Sequence, residues 1–389
     1  MTSRKRLVAV LVSAPVIAFT VIGGFLGHAM ARTDDTYANL RVFQDVVSLI
    51  MSNYVEQPNM EGVMRGAMRG LAEGLDSDSA YLTQQQVRQL EGGDQTGAGD
   101  VGIILTHQYY LRVVSARDDS PAAKAGIRPG DFVRVLDSRP TRDMSAFEGQ
   151  RLLSGAPGSK VKLTIIRGGS NTEPHVIDLV REVPPVADVK SRAQADGIGY
   201  VRIGAFNRRS VEQLRTQVTS LTKSGSTNLI IDVRNAAAGD LAEGISAARL
   251  FVGSGTLAIR ESRAEGQSKI EAAKGDGAFT VPVTLLVDSG TSGPAEIFAA
   301  ALAGNKRAEL VGERTIGRSG VQELVKLPDG SALWITSSRY LTPAGAAIQA
   351  KGLEPGVPVE QPEGDFGAPA PADTILQRAI ERLTTKKAA

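Results

Sequence analysis

The residues best placed to do covalent chemistry in this chain lie in Asp288-Ser289-Gly290-Thr291-Ser292-Gly293-Pro294-Ala295-Glu296-Ile297, where an apolar run passes into an alanine-rich one. A serine at such a junction is either a nucleophile or a helix N-cap. As a cap, the Ser292 oxygen would accept from the Ala295 N–H, with Pro294 in the first turn. Ser289 and Ser319 read as turn residues. Partners for a nucleophile are few. The chain has no cysteine, which excludes thiol nucleophiles, disulfides, thiolate zinc sites and a lipidated N-terminal cysteine. It has three histidines, His28, His107 and His175. His28 falls in the leader, so a Ser-His-Asp triad would need one of the other two. Three histidines so spread give no metal site, and no cofactor is expected. Asp76, Asp78 and Asp232 have the chemistry of acid–base carboxylates, but aspartates in these settings more often cap turns and start loops. The glycine-rich stretch 92–100 lacks the Gly-Lys-Ser/Thr ending of a phosphate loop and reads as a hinge. A net charge of +2 gives no reason to expect a nucleic-acid partner.

The elements that would position these residues follow from pattern. At 389 residues, with 42% apolar and 22% charged residues, the chain has the length of two or three globular domains. Arg4-Lys5-Arg6 precedes an apolar stretch of 20 residues, Leu7 to Leu26. That length suits a membrane anchor, whereas Ala29-Met30-Ala31 suits a signal-peptide cleavage site. Residues 1–31 are therefore a signal anchor or a signal peptide, and the rest faces outward. Residues 32–91 carry helical apolar spacing from Tyr37 to Leu75 and form an N-terminal helical segment. Residues 92–185 are a linker and a β-rich module, with strands at 101–105, 111–115, 132–136 and 161–167 and short helices at 121–125 and 146–153. Residues 186–358 alternate strands (199–203, 229–233, 284–287) with helices (211–221, 241–250, 295–302), an α/β pattern. Residues 359–389 are a Pro/Gly/Ala-rich linker and a C-terminal helix.

Within the β-rich module, Ser120-Pro-Ala-Ala-Lys-Ala-Gly-Ile-Arg-Pro-Gly-Asp131 resembles the PDZ domain in the circularly arranged form of bacterial envelope proteases. The resemblance implies that an extended peptide adds to a strand edge and that Val101-Gly102-Ile103-Ile104 holds its terminal carboxylate by backbone N–H groups. The bland alternative is a module that only spaces two domains.

A second resemblance covers residues 37–383. Leu75-Asp76-Ser77-Asp78-Ser79-Ala80-Tyr81-Leu82 stands before the PDZ-like module. Gly199 to Ile203, Ile231-Asp232-Val233-Arg234-Asn235, Gly312 to Gly317 and Tyr340 to Gly345 follow it. In this order they look like the carboxyl-terminal processing peptidases. That family implies a crotonase-like ββα core with an inserted PDZ domain, and a Ser-Lys dyad cutting exported proteins near their C-termini. The lysine must be neutral to take the serine proton, and two backbone N–H groups hold the oxyanion. Here the sequence departs from the family. The nucleophile position falls on Gly293, followed by Pro294, which has no N–H to donate. The base position falls on Arg318, whose guanidinium does not deprotonate. Gln322, which orients the lysine in active members, is retained. The family's Asn-Pro-Gly-Gly oxyanion turn reads Ala236-Ala237-Ala238-Gly239, leaving Gly239 as the oxyanion candidate.

The resemblance therefore implies a PDZ-bearing protein of the cell envelope that recognises protein C-terminal tails, or scaffolds an envelope protease, without cutting. It would lie on the periplasmic side of a bacterial-type envelope, anchored in the inner membrane by a single pass or secreted. The alternative is a working serine endopeptidase with Ser292 as a nucleophile shifted by one, Gly293 supplying the oxyanion N–H, and Lys306 or Lys326 as base. A third reading makes the α/β part a mere body for the peptide-binding module.

Overall fold

A computed structural model describes residues 37–92, 97–168, 173–185, 189–362, 364, 366 and 372–388. The anchor-or-signal reading of residues 1–31 and part of both linkers lie outside them. Among the described residues no helix is long and apolar enough to cross a membrane. The chain divides into two compact units, residues 1–68 and 69–389. The first contains a helix at 37–53, which exposes Tyr37, Leu40, Val46 and Leu49, and the start of the helix Met60–Glu73.

The centre of the second unit is a six-stranded sheet in the order Val357–Pro358, Ala308–Gly312, Val283–Val287, Asn228–Asp232, Ile198–Ile203, Val189–Ala193. The first five strands are parallel and the last is antiparallel. Val283–Val287 is buried throughout, as a strand covered on both faces must be. Leu229, Ile231, Leu285 and Val287 pack against helices Arg208–Lys223, Leu241–Ala248 and Pro294–Gly304 on one face. Ile230, Leu286 and Val311 meet Ile375 and Ala379 of helix Thr374–Ala388 on the other.

Helix Pro294–Gly304 is buried from Pro294 to Leu302, so it is apolar all round rather than amphipathic. Helix Leu241–Ala248 reaches it only because Gly244 has no side chain. A Cβ there would lie 2.2 Å from the Pro294 carbonyl oxygen.

A second sheet joins Ala80–Leu82, Ala332–Leu341, Thr256–Ser262 and Gly266–Glu271 in that order, and Gly320–Lys326 pairs with Ala332–Leu341. This differs from the sequence reading, which made residues 32–91 purely helical. Ala80 and Leu82 point inward, giving a strand of three residues too short for its alternation to stand out. The capping box of Thr83 and Gln86 then starts helix Gln84–Glu91.

The third sheet builds the β-rich module: Ile103–Gln108, Tyr110–Ala116, Phe132–Leu136, Lys160–Ile166 and His175–Val180, in that order. Helices Pro121–Lys124 and Ala146–Leu153 fall where the sequence places them. His175–Val180 was not anticipated, because its alternate residues Val176 and Val180 face solvent.

Candidate functional site

Strand Val283–Val287 ends at Asp288, and the chain turns into helix Pro294–Gly304 through Gly293. Side chains tie the turn down. The Asp288 carboxylate accepts the N–H groups of Asn235 (2.8 Å) and Gly290 (3.0 Å). The Thr291 hydroxyl donates to the Val233 carbonyl (3.0 Å) and accepts from the Asp288 N–H (3.0 Å). Gly293 sits at φ 57°, ψ −117°. This is a sharp strand-to-helix elbow, in a backbone region costly for any residue with a side chain. The elbow persists, and the residue on it has no hydroxyl.

Ser292 is the adjacent hydroxyl residue. It is 1% exposed, and no hydrogen bond joins its hydroxyl to a described residue. Nor is it the N-cap the sequence suggested. The cap position is Gly293, and the Ala295 N–H goes to the Ser292 carbonyl oxygen (3.2 Å) instead. Proline at the first helical position moves the boundary one residue on.

A Cβ placed on Gly293 would have Leu241 Cδ2 at 3.5 Å, the Arg318 carbonyl oxygen at 3.6 Å and the Ala237 carbonyl oxygen at 3.9 Å. Those nearest neighbours are one methyl group and two carbonyl oxygens. Gly239, the oxyanion candidate, has another reason to be glycine. At φ 117°, its Cβ would lie 1.8 Å from the Phe206 carbonyl oxygen, where Ala238–Gly239 pairs with Ala205–Phe206.

The base position is bound to the elbow by a residue that sequence reasoning did not single out. The Glu296 carboxylate is fully buried. Its Oε2 accepts the Gly293 N–H (3.0 Å) and the Arg318 N–H (2.8 Å), and its Oε1 accepts the Gly317 N–H (2.7 Å) and the Thr315 hydroxyl. Burial pushes this carboxyl up from its ordinary value, and the four donors pull it back. Its signal in the sequence was its place three residues after the cap, where capping boxes carry an acid.

The Arg318 backbone is thus tied to the elbow through Glu296, and its side chain is committed to another element. The guanidinium makes a bidentate pair with Asp78, Nη2 to Oδ1 at 2.7 Å and Nε to Oδ2 at 3.1 Å. Asp78 is buried, and its Oδ1 also lies 3.4 Å from the Thr106 hydroxyl of the β-rich module. Asp76 caps its own turn as expected, accepting the N–H groups of Asp78 and Ser79, whereas Asp78 serves as the arginine's partner. Gln322 bonds Thr336 (3.3 Å). Lys326 is paired with Glu91, and Lys306 lies past the far end of helix Pro294–Gly304, about 16 Å along its axis from Gly293. The His107 Nε2 lies 3.2 Å from the Arg142 carbonyl, and His175 stacks on Phe366.

Asp232 belongs to a buried cluster rather than to acid–base chemistry. It accepts from Tyr200 (2.7 Å) and Arg234 (2.6 Å), with Arg202 at 3.8 Å. Burial opposes its charge, but Arg234 and Arg202 hold its carboxyl below the ordinary value. Burial and the neighbouring Asp232 push the Tyr200 hydroxyl up.

The β-rich module docks on this core. The Asn235 side chain accepts from the Ala116 N–H (2.8 Å) and donates to the Ala116 carbonyl, and Arg202 forks onto Asp118 (2.7 and 3.0 Å). A cleft of about 980 Å³ opens between them, lined by Asp76, Thr106, Gln108, Arg318 and Ser338. The candidate carboxylate loop lies on the same module. The Val101 and Gly102 carbonyls accept the N–H groups of Ala122 (3.1 Å) and Arg117 (2.7 Å), so the N–H groups of Gly102 and Ile103 point the other way. Gly102 holds φ 79°, and a Cβ on it would collide with Ser120 at 2.3 Å. Val101 and Ile103 are buried, and Ile104 is half-buried.

Comparison with known proteins agrees with this architecture. The sequence profile of peptidase family S41 matches residues 197–359, and that of the PDZ domain matches residues 112–167. The carboxy-terminal-processing protease of Bartonella bacilliformis is 30% identical over 361 residues, covering 89% of this chain and 83% of that one. The carboxy-terminal processing protease of Bacillus subtilis is 29% identical, covering 91% and 76%. Among solved structures, the photosystem II D1 C-terminal processing protease superposes with a TM-score of 0.69 at 26% identity, covering 81% of this chain and 86% of that one.

Proposed function

This chain belongs to the carboxy-terminal processing proteases, PDZ-bearing members of peptidase family S41, and on that premise we propose that it binds protein C-terminal tails without cutting them. One observation carries the proposal. Where the reaction needs a serine beside a neutral lysine, the chain has Gly293 beside an arginine paired with Asp78. A guanidinium neither loses its proton nor accepts one, and glycine cannot attack.

Tail binding is supported by the PDZ module, a fold that suggests capture of C-terminal peptides. A tail with its carboxylate at the N–H groups of Gly102 and Ile103 would run antiparallel to strand Ile103–Gln108. Its upstream residues would pass Thr106 and Gln108 into the cleft beside Arg318. The core would then hold the body of the client while the module holds its end. Arg4-Lys5-Arg6 and the apolar run behind them support a place on the periplasmic side of a bacterial-type envelope, anchored or secreted. A tail-holding scaffold for an active envelope protease fits the same site.

The test is incubation of the purified chain with an unfolded protein bearing a free apolar C-terminus, read by mass spectrometry. The substrate should remain intact. Cleavage that disappears in Ser292→Ala would overturn the proposal in favour of a shifted serine nucleophile.

A further inference from the structure

Strand Ile103–Gln108 is the outermost strand of the PDZ sheet, so an added peptide would pair with its open side. Two groups on that side are already taken. The Gln150 side chain accepts the Leu105 N–H at Oε1 (3.1 Å) and donates from Nε2 to the Ile103 carbonyl (2.9 Å). One carboxamide therefore occupies one group at each of two successive rungs that an antiparallel strand would use. Only this orientation of the amide matches donor to acceptor at both ends.

The helix carrying Gln150 is set for this contact. Helix Ala146–Leu153 comes down on the sheet at Gly149, where a Cβ would lie 2.3 Å from Leu111 Cδ1 and 3.2 Å from Leu105 Cδ1. That close approach brings residue 150 within a side chain's reach of the strand edge. Gln150 is only half-buried, so its amide has a way out toward water.

We infer that Gln150 is a resident competitor for the peptide-binding edge: a tail enters only by displacing its amide. The inference rests on the reading of this module as a binder of C-terminal tails. At these two rungs the tail exchanges two hydrogen bonds for two and gains little. Discrimination then falls on the carboxylate loop and on the side chains beside Val101 and Ile104. Gln150 acts as a threshold that weak or internal segments do not pass.

The test compares the full chain with Gln150→Ala. The probe is a fluorescein-labelled peptide mixture with a Gly-Ser spacer, four randomised residues and an apolar last residue with a free carboxylate, read by anisotropy. The variant should bind about tenfold tighter, the worth of two modest hydrogen bonds no longer broken on entry. Without peptide, the Leu105 amide should exchange its hydrogen faster in the variant, while the Val113 amide, inside the sheet, stays protected and verifies the fold. Equal binding by both proteins would overturn the competitor role and leave tail binding standing. Binding by neither would overturn both. Equal exchange at Leu105 would overturn the inference whatever the peptides do.

Discussion

Arg318 and Asp78, 240 residues apart in sequence, face each other in a two-pronged ion pair at 2.7 and 3.1 Å. The pair joins the loop after Gly317 to the segment preceding the PDZ domain, and Thr106 brings that domain to the same carboxylate. The arginine is therefore committed as the cation of this pair. Asp78→Asn should leave a half-buried guanidinium without its counter-charge and cost about 1–3 kcal/mol, discounted from a fully buried pair for its partial exposure. A double-mutant cycle with Arg318→Gln, followed by urea denaturation, measures the coupling. Additive effects would mean that the pair holds nothing together.

Glu296 is the joint between the two halves of the site. Each of its oxygens accepts from two donors, so a neutral amide in its place must turn its NH2 toward a donor on one side. Glu296→Gln should cost roughly 2–4 kcal/mol, the scale of one or two buried donors left unsatisfied. Proteolysis of the native state should then accelerate in both segments it joins, 288–294 and 315–319. A loss of less than about 1 kcal/mol would show that the four donors find water or other partners.

Much of this was legible before any coordinates. The strands at 229–233 and 284–287 are continuous apolar runs bounded by turn residues, and the helices between them keep helical spacing. Local pattern therefore gave three strands of the central sheet and the helices against them, but not Val189–Ala193, Ala308–Gly312 or Val357–Pro358. Gly293 and Arg318 stood out because the flanking motif set their register. Other features depended on distance rather than pattern. Asp78 looked like a turn-capping aspartate, and its partner lies 240 residues on. Ala80–Leu82 becomes a strand only by pairing with Ala332–Leu341. Gln150 is an ordinary helix residue in sequence, and only the approach of Gly149 to the sheet gives its amide a partner. The N-cap reading of Ser292 failed locally, by one residue, because proline claimed the first helical position.

Asp232 offers a test by pH. Its carboxyl is held below the ordinary aspartate value, so its stabilising effect is complete above that value, near 3.9, and is lost as pH falls through the native one. Asp232→Asn should cost roughly 3–5 kcal/mol at pH 7, because Arg202 and Arg234 lose a buried counter-ion. The gap between wild type and variant should narrow on acidification below about pH 4, since the wild type alone loses this term. A gap constant from pH 7 to pH 3 would assign the cost to packing rather than charge.

Restoring the dyad is the most demanding prediction. A serine Cβ at 293 meets nothing closer than 3.5 Å, so Gly293→Ser fits, with about 1–3 kcal/mol of strain from its positive φ. Combined with Pro294→Ala and Arg318→Lys, it supplies a hydroxyl, an N–H and an amine. The amine would still face Asp78, and a carboxylate at that distance holds a lysine in its charged form. The triple variant should therefore react slowly with a fluorophosphonate probe. Adding Asp78→Asn should raise the labelling rate by at least about tenfold, because one pKa unit is a factor of ten in neutral amine. Both variants should remain slow next to an active relative, since the turn after Asn235 still reads Ala236-Ala237-Ala238-Gly239 in place of the Asn-Pro-Gly-Gly that the resemblance implies. Equal labelling of the triple and quadruple variants would show that Asp78 does not restrain the amine.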